Sequence, residues 1–181
     1  MPVPPVPPVP PYSRPLRVAD PHHVDFIDLL AQAGPVARLI DPGAKFMTAH
    51  IDRMDGGTVD TAGPVAATVN IVFQTPDLQS TITVKPWSNL LIAERSREAY
   101  VVVTAEPTCR SSAVWAAVLR DGVKPHLDAR FIFTGREWLV MPSSSPGTLE
   151  LPRRVDGRTC RVIPTFKKRP ATAEVPKAHP A

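Results

Sequence analysis

The chain has 181 residues, is 43% hydrophobic, contains 23 prolines and carries a formal net charge of +4. It is long enough to bury a core and too apolar for wholesale disorder, and its proline content argues against a helix bundle. No apolar run approaches the roughly 18 residues of a membrane-spanning helix, and the N-terminus lacks the apolar stretch of a signal peptide.

The charge is unevenly placed. Residues 1–60 sum to −2, residues 61–151 to zero and residues 152–181 to +6. A positive end on a neutral body points to a polyanionic partner, either nucleic acid or an anionic membrane. Cys109 and Cys160 belong to no metal-ligand spacing, so no zinc site is expected; one disulfide and two free thiols remain equally open.

Residues 1–19 form a proline-rich arm. PVPPVPPVPP at 2–11 repeats every three residues, the period of a polyproline II helix. Such a segment is a stiff spacer or a ligand for SH3 or WW domains. Pro8, Pro10, Pro11 and Tyr12 make up the partner-binding candidate, a degenerate PPxY match with Val9 in the first proline's place.

Residues 20–62 read as a short helix and a connecting segment. Asp20 is the expected N-cap and Pro21 the first helical residue. Val24, Ile27, Leu30 and Ala31 share a face, and Gly34-Pro35 ends the helix, giving 21–33. Adjacent His22 and His23 point to different faces, which disfavours a metal site with Asp25 and Asp28. Turns are expected at Asp41-Pro42-Gly43 and Asp55-Gly56-Gly57.

Residues 63–166 are expected to form the β-domain. Strands are predicted over Val65–Phe73, Gln79–Val84, Tyr100–Ala105, Ala113–Leu119, Arg130–Thr134, Glu137–Met141, Thr148–Leu151 and Thr159–Ile163. Gly135-Arg136 is a two-residue hairpin signal with glycine first. Ala113–Leu119 permits a helix, but its short length favours a strand, and Glu94, Arg95, Arg97 and Glu98 read as a polar loop. The pattern predicts a mainly β chain, an antiparallel β-sandwich or jelly roll with a short N-terminal helix and disordered or extended termini.

No catalytic constellation emerges. GxSxG, HExxH, the P-loop and GxGxxG are all missing, and Ser143, Ser144 and Ser145 have only His126 as a central histidine. A non-enzyme without cofactor is therefore expected. The tail at 167–181 and the strand before it supply the nucleic-acid candidates Arg153, Arg154, Arg158, Arg161, Lys167, Lys168 and Arg169. These types neutralise phosphates with little sequence information.

The order of segments over residues 64–155 resembles the coat proteins of tymoviruses and their relatives. VAATVNIVF followed by TPDLQSTITV resembles the opening strands of that jelly roll. SNLLIAERSREAYVVVTAEP resembles its polar connection into an apolar strand, SAVWAAVL its next strand and TLELPRRV a later basic turn. The family continues for several further strands, whereas this chain turns basic. The resemblance implies a capsid protein that self-assembles in many copies around RNA, in virions formed in host cytoplasm. The alternative is a matrix- or movement-like accessory module that recruits an SH3 or WW partner through its arm and touches nucleic acid or membrane through its tail.

Overall fold

The computed structural model describes residues 12–62, 68–87, 90–97, 105–124, 128–143 and 150–164. The chain is mainly β. Its described strands are β1 (Tyr12–Pro15), β2 (Lys45–Met54), β3 (Val69–Gln74), β4 (Thr81–Trp87), β5 (Leu90–Ser96), β6 (Ala129–Thr134), β7 (Glu137–Pro142), β8 (Arg153–Asp156) and β9 (Val162–Ile163). They form one antiparallel sheet in the order β1-β5-β4-β3-β2-β6-β7-β8-β9. β1 and β9 are its two edges and do not pair with each other, so the sheet is open. The described strands lie in this single sheet, and no second sheet of a sandwich or jelly roll is shown among the described residues.

Two helices, α1 (Phe26–Ile40) and α2 (Ser111–Arg120), complete the described secondary structure. α1 packs on β1, β3, β4 and β5, and α2 packs on β8. Phe26, Leu29, Leu30, Ala33, Val36 and Ala37 make the buried stripe of α1, spaced three and four residues apart as a helix face requires. β2, inside the stretch read as a connecting segment, is the central strand. Residues 20–62 and the later strands therefore share one core.

The expected helix over 21–33 is displaced. Asp25, not Asp20, is the N-cap, and the helix runs on to Ile40 with Pro35 inside it. Pro35 lacks the N–H that would reach the preceding turn, which costs about 3 kcal/mol in an isolated helix. Val36 and Ala37, the next two residues, are buried, and their burial offsets the break. Asp20 instead accepts from the His22 amide and pairs with the His23 ring.

Ala113–Leu119 is helical, not a strand. Val114, Trp115, Ala117 and Val118 are buried in α2. A short apolar run cannot distinguish the two states by periodicity; a distant side chain, Asp25, decides it. The Glu94–Arg95 segment, read as a loop, is part of β5, and Tyr12 of the arm lies in β1. Glu150 and Leu151 are outside any strand, and pairing resumes at Arg153. Of Thr159–Ile163 only Val162–Ile163 is strand. Within Tyr100–Ala105, residues 100–104 lie outside the described residues and Ala105 is irregular.

The hairpin signal at Gly135-Arg136 corresponds to the β6–β7 turn. Thr134 pairs with Glu137 across it, and Gly135 takes a φ of 66°, the positive value a glycine-first hairpin turn needs. Trp138 lies at the centre of the core, fully buried, with its ring centroid 5.0 Å from Phe133 and 5.1 Å from Phe26. Its indole N–H has no hydrogen-bond partner among the described residues.

Candidate binding groove on the solvated sheet face

Strand alternation sets up the site. In β2, Ala49 and Ile51 point into the core, so Thr48 and His50 point the other way. In β4, Ile82 and Val84 are buried in the core, which turns Thr83, Lys85 and Trp87 to the opposite face. The register puts Thr48 beside Val72 and Thr134, and Thr83 beside Val72 and Glu94. One face thus packs under the helices and the other meets solvent.

On the solvated face lies a groove of about 560 Å³. Its described lining carries five hydroxyls, from Thr48, Thr81, Thr83, Ser96 and Thr134. His50, Lys85, Glu94 and Arg95 add ring nitrogens, charges and a carboxylate, and Met47 and Val72 supply apolar surface. Met47 sits where the β2–β3 register shifts between Phe46 and Thr48. A bulge of this kind re-aims a side chain out of strict alternation.

Three cations of this face are paired, while Lys45, opposite Gln74 at the start of β2, has no carboxylate partner among the described residues. Lys85 Nζ is 3.8 Å from Glu94, Arg130 Nε is 3.1 Å from Asp52, and Arg154 is 2.6 Å from Glu137. Arg95, opposite the buried Ile82, turns to the helix side at the groove rim and is held by Asp41 at the end of α1, 3.1 Å away. The face is close to electrically neutral despite its cations. Exposed pairs of this kind add little stability, but they cancel the field a polyanion would seek.

The nucleic-acid candidates do not converge on one patch. Arg153 turns toward the end of α2 and bonds Asp121, while Arg154 lies on the other face with Glu137. Arg158 is exposed in the β8–β9 turn. Arg161 lines a shallow depression with Arg120 at the end of α2. Lys167, Lys168 and Arg169 lie outside the described residues, as do Pro8, Pro10 and Pro11. Tyr12, the last residue of the partner-binding candidate, pairs with Ala93 in β1. His126, Ser144 and Ser145 are also outside the described residues, and among those described no cluster of His, Cys, Asp or Glu is placed to hold a metal ion.

Two further features are decided only by the structure. The first is Asp25, whose carboxylate serves both helices. Oδ1 accepts from the Ile27 amide at 3.1 Å and the Ser111 amide at 3.2 Å. Oδ2 accepts from the Ser112 amide at 3.2 Å and the Ser112 hydroxyl at 2.7 Å. In return Ser111 Oγ accepts from the Phe26 amide. Two positive helix ends thus meet at one anion. The second is the pairing of Cys109 and Cys160, with Cα atoms 5.6 Å apart, which ties the start of α2 to the β8–β9 turn. In that turn backbone and hydroxyl bonds from Thr159 and Arg158 hold the Asp156 carboxyl below its ordinary pKa. Nothing in the sequence around Asp25 signals a bond to a helix start 86 residues away, whereas polar residues at 81, 83 and 85 against apolar 82 and 84 do mark the groove strand.

No family model, curated protein or solved structure matches this chain.

Proposed function

We propose that the chain is a non-catalytic binding protein whose ligand surface is the solvated face of its sheet. The observation that carries this reading is the groove over β2, β4 and β5, with hydroxyls, His50, Lys85 and Glu94 converging around a small apolar floor. A concave site with a few convergent polar groups on a rigid sheet is what ligand recognition requires. The Cys109–Cys160 disulfide fits an oxidising compartment. Recruitment of an SH3- or WW-type partner through Pro8, Pro10, Pro11 and Tyr12 belongs to the same proposal.

Thermal-shift screening of sugars, nucleotides, amino acids and short peptides tests it, using wild type and Thr83→Arg. Thr83 is half-exposed on the groove floor, so the longer side chain fills the groove without entering the core. At least one compound class should raise the melting temperature of wild type and not of the variant. A screen without a shift, or a shift that survives T83R, overturns the assignment.

A capsid role is a second reading of the same face. Its support is that Val72, Ile92, Ile132 and Leu139 are half-buried there, apolar surface that the second sheet of a jelly roll, or another copy, would cover. In this reading many copies assemble, and Arg158, Arg161, Lys167, Lys168 and Arg169 neutralise RNA in virions formed in host cytoplasm. Size-exclusion chromatography with light scattering and a 260/280 nm absorbance ratio reports both properties at once. A nucleic-acid-free monomer at high concentration overturns it.

A further inference from the structure

Resting on the binding reading, we infer that the ligand is an extended, neutral oligosaccharide, with Trp87 as its stacking platform. Of the chain's three tryptophans, Trp115 and Trp138 are buried in the core, while Trp87 is 68% exposed. Its cross-strand partner Leu90 is 37% exposed, and a contiguous exposed apolar pair is more informative than a single exposed side chain. Trp87 lies on the same strand and the same face as the groove residues Thr81, Thr83 and Lys85, two residues beyond the last. A strand rises about 3.3 Å per residue, so Thr81 to Trp87 spans about 20 Å. That length holds several pyranose rings in a row.

The position of Trp87 is built. Pro86 has no N–H, and β4 pairs with β3 only as far as Val84. Beyond that point β4 continues as a hairpin with β5, where Trp87 pairs with Leu90. β1 braces the outer side of that hairpin, with Pro15 against Leu90. The indole is therefore carried on a three-stranded extension, clear of the β3 ladder and in line with the groove.

The chemistry selects the ligand class. A pyranose offers a flat C–H face, which matches an aromatic plane, and a rim of hydroxyls that both donate and accept. The groove answers with groups of both kinds: threonine hydroxyls, the His50 ring, the Glu94 carboxylate and the Lys85 ammonium. Single-stranded nucleic acid also stacks on tryptophan, but it needs uncompensated cations along its backbone. Here Lys85, Arg130 and Arg154 are each matched by a carboxylate, which leaves Lys45 as the uncompensated cation of this face's described strands; one such charge does not track a polyanion's backbone, which favours the neutral polymer.

Affinity electrophoresis of the full chain through gels containing laminarin, hydroxyethylcellulose, soluble starch or poly(U) tests the inference, together with W87A. At least one neutral glucan should retard wild type, and W87A should weaken that retardation about tenfold or more, as removal of a central tryptophan anchor does. The same glucan should blue-shift the tryptophan emission of wild type and leave that of W87A unchanged, with equal melting temperatures. Failure of every neutral glucan to retard the protein, retardation by poly(U) alone, or full binding by W87A overturns the inference. A groove ligand of another class, still lost in T83R, would in that event leave the binding reading standing.

Discussion

Replacing Asp25 tests how the two helices are held. The side chain is 7% exposed and accepts four hydrogen bonds from the first turns of α1 and α2. Alanine removes the α1 cap, about 1 kcal/mol. It also leaves the buried Ser111 amide without its acceptor, about 1–3 kcal/mol, and the part-buried Ser112 amide, about 1 kcal/mol more. D25A should therefore lose about 3–5 kcal/mol, a large share of a domain's margin. Asparagine keeps one oxygen and caps nearly as well as aspartate. Its amide group then faces a donor, so D25N should lose about 2 kcal/mol. For a domain of this size each kcal/mol lowers the melting temperature by about 2–4 °C. Urea unfolding followed by circular dichroism measures the loss, and D28N is the matched control. Asp28 pairs with Arg110 at the surface, and its loss should stay below about 1 kcal/mol. A D25A protein within about 0.5 kcal/mol of wild type, or a D28N loss as large as that of D25A, refutes the shared cap.

Gly57 and Gly56 should respond unequally to alanine. Both have positive φ, +79° and +58°, but a Cβ on Gly57 would lie 2.6 Å from the Trp115 Cβ and 2.9 Å from the Ser111 carbonyl, whereas one on Gly56 meets open space. G56A should cost about 1 kcal/mol from backbone conformation alone, and G57A about 2–4 kcal/mol once overpacking against α2 is added. Denaturant midpoints would expose the error if the two lost equally. The cross-link between Cys109 and Cys160 closes a separation of 51 residues, for which chain entropy predicts about 4 kcal/mol. C109S/C160S should accordingly melt about 8–16 °C lower, and reductant should lower wild type alone; a melting point indifferent to reductant counts against the constraint.

The sequence by itself determined the mainly β character, the turns at Asp41-Pro42-Gly43 and Asp55-Gly56-Gly57, and the β6–β7 hairpin. Each follows from local chemistry: β-branched runs, proline and glycine punctuation, and a glycine in a two-residue turn. Helix limits were less legible. Asp20-Pro21 satisfies local capping rules as well as Asp25 does, but only Asp25 has a second helix end to satisfy. Ala113–Leu119 is ambiguous until that same carboxylate caps it. β2 reads as a mixed stretch because its polar and apolar residues are sorted only when β3 and β6 pair on either side. The groove is likewise a product of register. Thr48 and His50, Thr83 and Lys85, and Glu94 come from three strands whose spacing in sequence says nothing of their adjacency. Tertiary structure also divided the basic residues, sending Arg153 to one face and Arg154 to the other, since neighbours on a strand point apart. Period and punctuation are local and can be read along the chain. Which carboxylate caps which helix, and which polar faces line up across a sheet, depends on contacts distant in sequence that exist only after folding.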